Sequence, residues 1–324
     1  MNEADASTVD VTDITKAGFV AIIGAPNAGK STLVNNLVGT KVAIVTHKVQ
    51  TTRFPIRGVA HIDQAQLVLV DTPGIFRARN RLDRAMVKSA WTGAEDADAV
   101  VHLIDASSWI AMADDQKITP AQKLSVEDDL RLIEQLKENG RQVVLGLNKI
   151  DLFAHDQILP LIEKFNEAGV YSDIFMLSAL NGDGIARLAE TLAKRMPDGP
   201  PLYPVDQTAD LPLRLLAAEI TREKLMLRLH QELPYQLMVE TESWEPFDNG
   251  SVRVRQAVII AREQHKGMVL GKGGQAIKSI GKAAREELQD ILGHPVHLIL
   301  FVKVDPKWQD RREAYLAVGL EFDA

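Results

Sequence analysis

Cysteine is absent from the 324 residues, which excludes disulfides, thiolate metal sites and a cysteine nucleophile and fits a reducing cytosol. No apolar run comes near the roughly 20 residues needed to cross a bilayer; the longest, such as Val296 to Val302, are far shorter. The expectation is a cytoplasmic protein, with room only for a peripheral contact at the inner membrane. An excess of positive charge is also missing. The net charge of −7 argues against bulk affinity for nucleic acid, although it averages over local patches. Residues 1–16 have neither a basic start nor an apolar centre and carry Glu3, Asp5, Asp10 and Asp13, so they are no secretory signal and read as a disordered acidic tail.

What is present is an ordinary folded composition, 46% hydrophobic and 25% charged, in a chain long enough for about two domains. From residue 17 to 196, short apolar runs (19–23, 56–62, 67–70, 99–104, 143–147 and 174–177) alternate with amphipathic stretches near 32–38, 82–91, 126–138, 157–166 and 185–195. Strands alternating with helices imply a mainly parallel α/β sheet covered on both faces, with ligands at the carboxyl ends of its strands. Residues 197–212 hold Pro197, Pro200, Pro201, Pro204 and Pro212. Proline at that density stops helices and stiffens a connection, so the segment reads as a linker. Residues 213–305 then follow the order helix, strand, strand, helix, glycine loop, helix, strand, leaving 306–324 as a tail.

The first strand runs into Gly24-Ala25-Pro26-Asn27-Ala28-Gly29-Lys30-Ser31, followed by Thr32, the pattern of a phosphate-binding loop between strand and helix. The glycines let the backbone aim N–H groups at a polyphosphate and the helix start adds its dipole; Lys30 faces the β- and γ-phosphates and Ser31 is a magnesium ligand. The third run ends in Asp71-Thr72-Pro73-Gly74, with a carboxylate for magnesium and a glycine N–H for the γ-phosphate. The fifth ends in Asn148-Lys149-Ile150-Asp151, where Asp151 can accept two hydrogen bonds from guanine and would be left unpaired against adenine, a strong basis for discrimination. The sixth ends in Ser178-Ala179-Leu180, whose backbone can support guanine O6. Between the first helix and second strand lies Gln50-Thr51-Thr52-Arg53; Thr52, with Thr51 as the alternative, is the candidate threonine that binds magnesium when a γ-phosphate is present. Gly74 is followed by Ile75, where Ras-like proteins place a water-orienting glutamine. Turnover is therefore expected to be slow and to draw on Lys30, Thr52, Gly74 and Asn27. Asn27 stands where potassium-activated GTPases, whose loops this one resembles, hold a monovalent ion.

In the second half, Gly271-Lys272-Gly273-Gly274 sits between two helices, after two strands and before a third. This is the GXXG loop of a type II KH domain, an α+β module in which paired glycines let a nucleic-acid backbone approach the main chain. From Arg253 to Arg285 eight basic residues face one acidic one, and Arg262, Lys266, Gly271, Lys272, Gly273, Gly274, Lys278 and Lys282 are the candidate RNA contacts. Ile277, Ile280, Ala284, Leu288 and Ile291 recur at helical spacing as the buried side of the long helix.

Together, residues 24–31, 50–53, 71–75, 148–151 and 178–180, with Tyr203-Pro204, 218–224 and 269–274, resemble the Era GTPases over about residues 16 to 305. The resemblance implies a GTP- and magnesium-dependent ribosome assembly factor. Such a factor binds the 3′ end of 16S ribosomal RNA through its KH domain and acts in maturation of the 30S subunit; separately, a monomer is expected. Lys272 and Gly273 stand where members vary. Two other readings remain: a GTPase of transfer-RNA modification, which needs a separate catalytic domain, and a membrane-associated signalling GTPase, from which RNA binding distinguishes it.

Overall fold

The computed structural model describes residues 14–113, 118–230 and 233–324. Its chain separates into one unit of residues up to 43, 52–210 and 323–324, and a second of 44–51 and 211–322.

In the first unit the elements follow as β1 (Lys16–Ile23), α1 (Lys30–Val38), β2 (Ile56–Ile62), β3 (Ala65–Asp71), α2 (Arg81–Glu95), β4 (Ala99–Asp105), α3 (Ala106–Ala113), α4 (Pro120–Glu138), β5 (Val143–Asn148), α5 (His155–Glu167), β6 (Tyr171–Leu177), α6 (Ile185–Arg195) and β7 (Ala209–Asp210). The sheet order is β6-β5-β4-β1-β3-β2-β7. Its inner strands are parallel, β2 runs antiparallel to β3, and β7 adds antiparallel to β2. Every residue of β3, β4 and β5 is buried, as strands covered on both faces must be. One core lies under α1 and α6 and contains Leu33, Leu69, Val101 and Leu188. The other contains Ile104, Trp109, Leu132 and Phe165. Because β1 sits between β3 and β4, connections leave it in opposite directions, opening a crevice at the strands' carboxyl ends.

Three expectations change here. Residues 14–16 are ordered, with Ile14 buried and Lys16 already in β1; residues 1–13 of the expected tail lie outside the described residues. The proline-rich stretch up to Asp210 is a strap on the sheet and no free linker. Fully buried Gln66 accepts from the Leu202 and Tyr203 N–H groups at 2.7 and 2.9 Å and donates to the Tyr203 carbonyl at 2.8 Å. Beyond it, Tyr203 Oη donates to Asp210 at 2.7 Å. Finally, α3 follows β4 without a loop. Its sequence is apolar almost throughout, so it carries no amphipathic period to betray it.

The second unit contains α7 (Leu213–Arg228), β8 (Leu237–Pro246), β9 (Val252–Ile260), α8 (Gln264–Leu270), α9 (Gln275–Leu292), β10 (Val296–Val304) and α10 (Arg312–Leu316). Its sheet runs β10-β9-β8, with β8 antiparallel and β10 parallel to β9. Ile220, Leu225, Val254, Val258, Ile280 and Leu288 form its core. Ile280, Ala284 and Leu288 take the buried side of α9, but Ile277, in its first turn, is only half-buried and Ile291, in its last, is exposed. The stretch after 305 is folded rather than a tail: Trp308, Tyr315 and Leu320 are buried.

Residues 44–51 lie along α7. The Val45 N–H donates to Glu223 at 2.8 Å, and Lys48 donates to the Met226 and Leu229 carbonyls at the end of α7, where a cation is favoured by the helix dipole. Arg222, fully buried, is bound by Glu219 and donates to the Thr51 carbonyl.

Candidate functional site

The loop after β1 winds tightly. Gly24 and Gly29 have φ of 146° and 101°, and a Cβ would drive Gly24 into the Leu103 carbonyl and Gly29 into the Asn148 amide. Lys30 Nζ donates to the Gly24 and Ala25 carbonyls at 3.1 and 2.9 Å. Burial lowers its ammonium to about 8, opposed by the Asp71 and Asp129 carboxylates. Asn27 is exposed with φ 64°, a left-handed conformation that asparagine tolerates better than most residues.

Three oxygens converge at the end of this loop. Ser31 Oγ donates to Asp71 Oδ2 at 2.7 Å, Thr52 Oγ1 donates to the same oxygen at 3.0 Å, and the two hydroxyls are 2.9 Å apart. Burial raises the Asp71 carboxyl, while the Ser31 bond, the Lys30 charge and the Thr52 bond lower it. Asp71 Oδ1 is buried with no hydrogen-bond partner among the described residues. Hard oxygen donors with one unsatisfied carboxylate oxygen fit Mg²⁺, which Ser31, Thr52 and Asp71 would hold and which would neutralise charge on bound phosphates. Of the paired threonines, Thr52 is the one in this cluster. Thr51 Oγ1 is engaged with Thr46 at 2.6 Å and the Lys48 carbonyl at 2.7 Å.

The segment after β3 is tied to the phosphate loop. Ile75 N–H donates to the Gly24 carbonyl at 3.1 Å, and a Cβ on Gly74 would come within 2.9 Å of Pro26. Ile75 itself is buried and Pro73 lines the same turn. Thr72 faces inward, donating to the Ile22 carbonyl at 2.7 Å, so its side chain serves the sheet and not a ligand. Thr32, in the first turn of α1, is half-buried.

At the other end of the crevice, Asn148 donates to the Ala28 carbonyl at 2.7 Å and accepts from the Ala179 N–H at 2.8 Å, binding three loops together. That commits the Ala179 amide, one of the backbone N–H groups in the 178–180 stretch expected to support guanine O6. The next amide, of Leu180, makes no hydrogen bond among the described residues. Ser178 is buried and its Oγ accepts from the Asn181 N–H at 3.2 Å, closing this loop. Asp151 follows Ile150 in a short helical turn and is exposed rather than buried; a bound base would supply the cover. One residue escaped the sequence reading. Asp105, at the end of β4, pairs with Lys149 at 2.6 Å and accepts from Ser107. Its position at a strand's carboxyl end is the signal that could have found it.

In the second unit Gly271, Gly273 and Gly274 all have positive φ. A Cβ on Gly271 would meet Ala276 at 2.6 Å, whereas Gly273 and Gly274 face open space. Arg262, Lys272, Lys278 and Lys282 are exposed and Lys266 is half-buried. The local excess of positive charge is smaller than the sequence window suggests, because Arg253 pairs with Glu245 and Lys282 with Glu286, two acids outside that window; Lys266 pairs with Glu263 within it.

A phosphate-binding loop, an oxygen cluster and an Asn-Lys-x-Asp turn at neighbouring strand ends define a guanine-nucleotide hydrolase, here on one chain with a KH domain. Comparison with known proteins agrees. Residues 19–149 match the model of the 50S ribosome-binding GTPase family and residues 232–309 that of the KH domain. GTPase Era of Caulobacter vibrioides is 56% identical over 97% of this chain and 99% of its own length, and that of Maricaulis maris 54% identical over 95% and 98%. Two solved structures, each 39% identical and covering 94% of this chain and 99% of their own, are an Aquifex aeolicus Era variant bound to GDP and AlF4⁻ (TM-score 0.84) and an Era with MgGDPNP and nucleotides 1506–1542 of 16S ribosomal RNA (TM-score 0.83). The chain belongs to the Era GTPase family and hydrolyses GTP. Among the described residues no helix is long and apolar enough to cross a membrane.

Proposed function

We propose that the chain is a ribosome assembly GTPase that binds the 3′ end of 16S ribosomal RNA through its KH domain. It would work in the cytoplasm as a monomer on the maturing 30S subunit, with GTP binding favouring RNA capture and hydrolysis permitting release. The observation that carries the nucleotide half is the convergence of Ser31, Thr52 and Asp71 on one point beside Lys30. The RNA half is supported by the glycine loop and by the relative crystallised with that RNA. In this reading Asp151 recognises guanine and the Leu180 amide supports O6. Lys30 and the Gly74 amide stabilise the transferring phosphoryl group, and Asn27 holds a potassium ion.

The test is turnover of GTP by the full chain with Mg²⁺, with and without an RNA of the 16S 3′ end, in potassium and in sodium buffer. Asp151→Asn should move preference from guanosine to xanthosine nucleotides, since the exchanged amide can donate to the xanthine O2. Undiminished GTP selectivity removes Asp151 from base recognition, RNA that stays unbound in every nucleotide state removes the ribosomal role, and equal rates in both salts remove potassium.

A further inference from the structure

The turn that carries Asp151 has an unusual start. Lys149, directly after β5, has φ 68° and ψ 33°, the left-handed conformation. Asparagine and aspartate reach it with a local bond from a short polar side chain. Lysine has no such means, and it stays there only where its surroundings hold it. What holds it is Asp105. Lys149 Nζ lies 2.6 Å from Asp105 Oδ2, with the Asp105 side chain only 10% exposed. The pairs Arg57–Asp210 and Lys16–Asp198 of the same unit are longer, at 3.3 and 3.7 Å, and lie in solvent, where such pairs contribute little. Asp105 and Asn148 are direct partners across β4 and β5, so the ion pair ties one strand end to the first residue beyond its neighbour.

The plain reading of Asp105 is a helix cap. Its Oδ1 accepts from the Ser107 N–H at 3.0 Å and from the Ser107 hydroxyl at 2.6 Å, as an aspartate before a helix ordinarily does. That accounts for one oxygen. The other accepts from Lys149, which no cap requires. Upstream of Lys149, Asn148 is fixed to the Ala28 carbonyl and the Ala179 N–H. Downstream, the Leu152 N–H donates to the Lys149 carbonyl at 3.3 Å and the Phe153 N–H to the Ile150 carbonyl at 3.1 Å, closing residues 150–152 into a turn. The Asp151 carboxylate is exposed and makes no hydrogen bond or ion pair among the described residues, so its own side chain does nothing to aim it. Lys149 is the joint between a fixed strand end and a turn whose carboxylate has no tether.

We infer that Asp105 is a positioning residue for base selectivity: by holding Lys149 in its left-handed turn, it aims Asp151 at the edge of guanine. The inference rests on the reading of Asp151 as the base-recognising carboxylate and adds the residue that fixes its direction. Ile150 and Phe153 pack on the core beneath the turn, so loss of the ion pair should loosen the turn without releasing it.

Asp105→Asn in the full chain separates the two roles, since the amide oxygen can still accept from Ser107 while the exchanged NH2 cannot pair with an ammonium. Affinities for GDP and IDP are measured with Mg²⁺; the two bases differ only in the exocyclic amine that Asp151 reads. The parent should prefer GDP by about 10–100-fold, the worth of a hydrogen bond to a charged group. The variant should weaken GDP by about tenfold and IDP by less, on the same scale, so that the preference shrinks, and the loss in turnover should appear in KM rather than in kcat. A cap alone would lower the melting temperature and weaken both nucleotides by the same factor, so an unchanged GDP-to-IDP ratio overturns the proposal. Lys149→Met leaves the cap intact and should lower the same ratio, and the double variant should lose no more selectivity than either single one; additive losses overturn the link between the two residues. If Asp105→Asn does not fold, the ratio in Lys149→Met decides alone. A parent chain that binds IDP as tightly as GDP removes Asp151 from base recognition and the inference with it, whereas a discriminating parent with an equally discriminating Asp105→Asn removes Asp105 only.

Discussion

Lys30 is buried at the start of α1, and its surroundings oppose its charge. Burial holds the ammonium near 8 while phosphates are absent, and phosphate oxygens favour the protonated form. Nucleotide binding must therefore take up a proton above that pH and none well below it. Affinity for GDP should be flat up to about pH 7 and then fall toward tenfold per unit above about pH 8; calorimetry at pH 9 in two buffers of different ionisation enthalpy should register uptake approaching one proton. No uptake there would mean that Lys30 is not desolvated in the free protein. The paired threonines show where residue-scale reading stops. Thr51 and Thr52 are chemically identical neighbours in an irregular segment, and only the direction of each side chain separates them. Thr52 reaches Asp71, whereas Thr51 bonds locally to Thr46 and Lys48. Thr52→Ala should weaken magnesium in the GTP complex by about 10–100-fold, the range for groups supporting a metal site. Thr51→Ala should leave magnesium affinity unchanged and cost about 1 kcal/mol of stability. Magnesium titrations of both variants distinguish them.

At the scale of elements, those with a strong period or a motif at their end were readable. The long helix after the glycine loop and the strands feeding the nucleotide loops fall where expected, since each has a buried face whose repeat matches its geometry. Elements without that signature were not: α3 is apolar nearly all round, and β7 is two residues that pair with Arg57 and Gly58 of the distant β2. The glycine loop shows how geometry refines a motif. Gly271 is confined by Ala276, but Gly273 faces open space at φ 59°, a conformation that aspartate tolerates better than most residues. Lys272→Asp/Gly273→Asp should therefore fold with a melting temperature close to that of the parent. It should lose RNA affinity by on the order of tenfold or more as two charges oppose the phosphates, and keep its RNA-free GTP turnover. Gel-shift and phosphate-release assays on the same preparation check both halves; retained RNA affinity would take the loop out of the interface.

For the whole molecule, the two-domain organisation was legible from composition and element order, but the path of the chain was not. The first unit runs on to Asp210 through the stretch expected to be a linker, and residues 44–51 belong with the later unit. No local propensity signals that, because the segment is held by partners 171 to 178 residues away: Glu223, the end of α7 and Arg222. A fragment beginning at Leu211 should therefore be less stable than the same unit in the full chain. It leaves the α7 carbonyls without Lys48 and buried Arg222 without the Thr51 carbonyl, bonds to charged groups that are each worth about 1.5–3 kcal/mol. Urea unfolding followed by Trp308 and Trp244 fluorescence measures the difference, and equal midpoints would show that the octapeptide contributes nothing.

That interweaving bears on ancestry. Modules are commonly exchanged between genes by joining one coding segment to the end of another, and such a graft would deliver residues 211–322 without the eight that complete them. A recipient GTPase would have to supply a matching stretch from within its own sequence, so the pairing is expected to be inherited as a unit and seldom reassembled from parts.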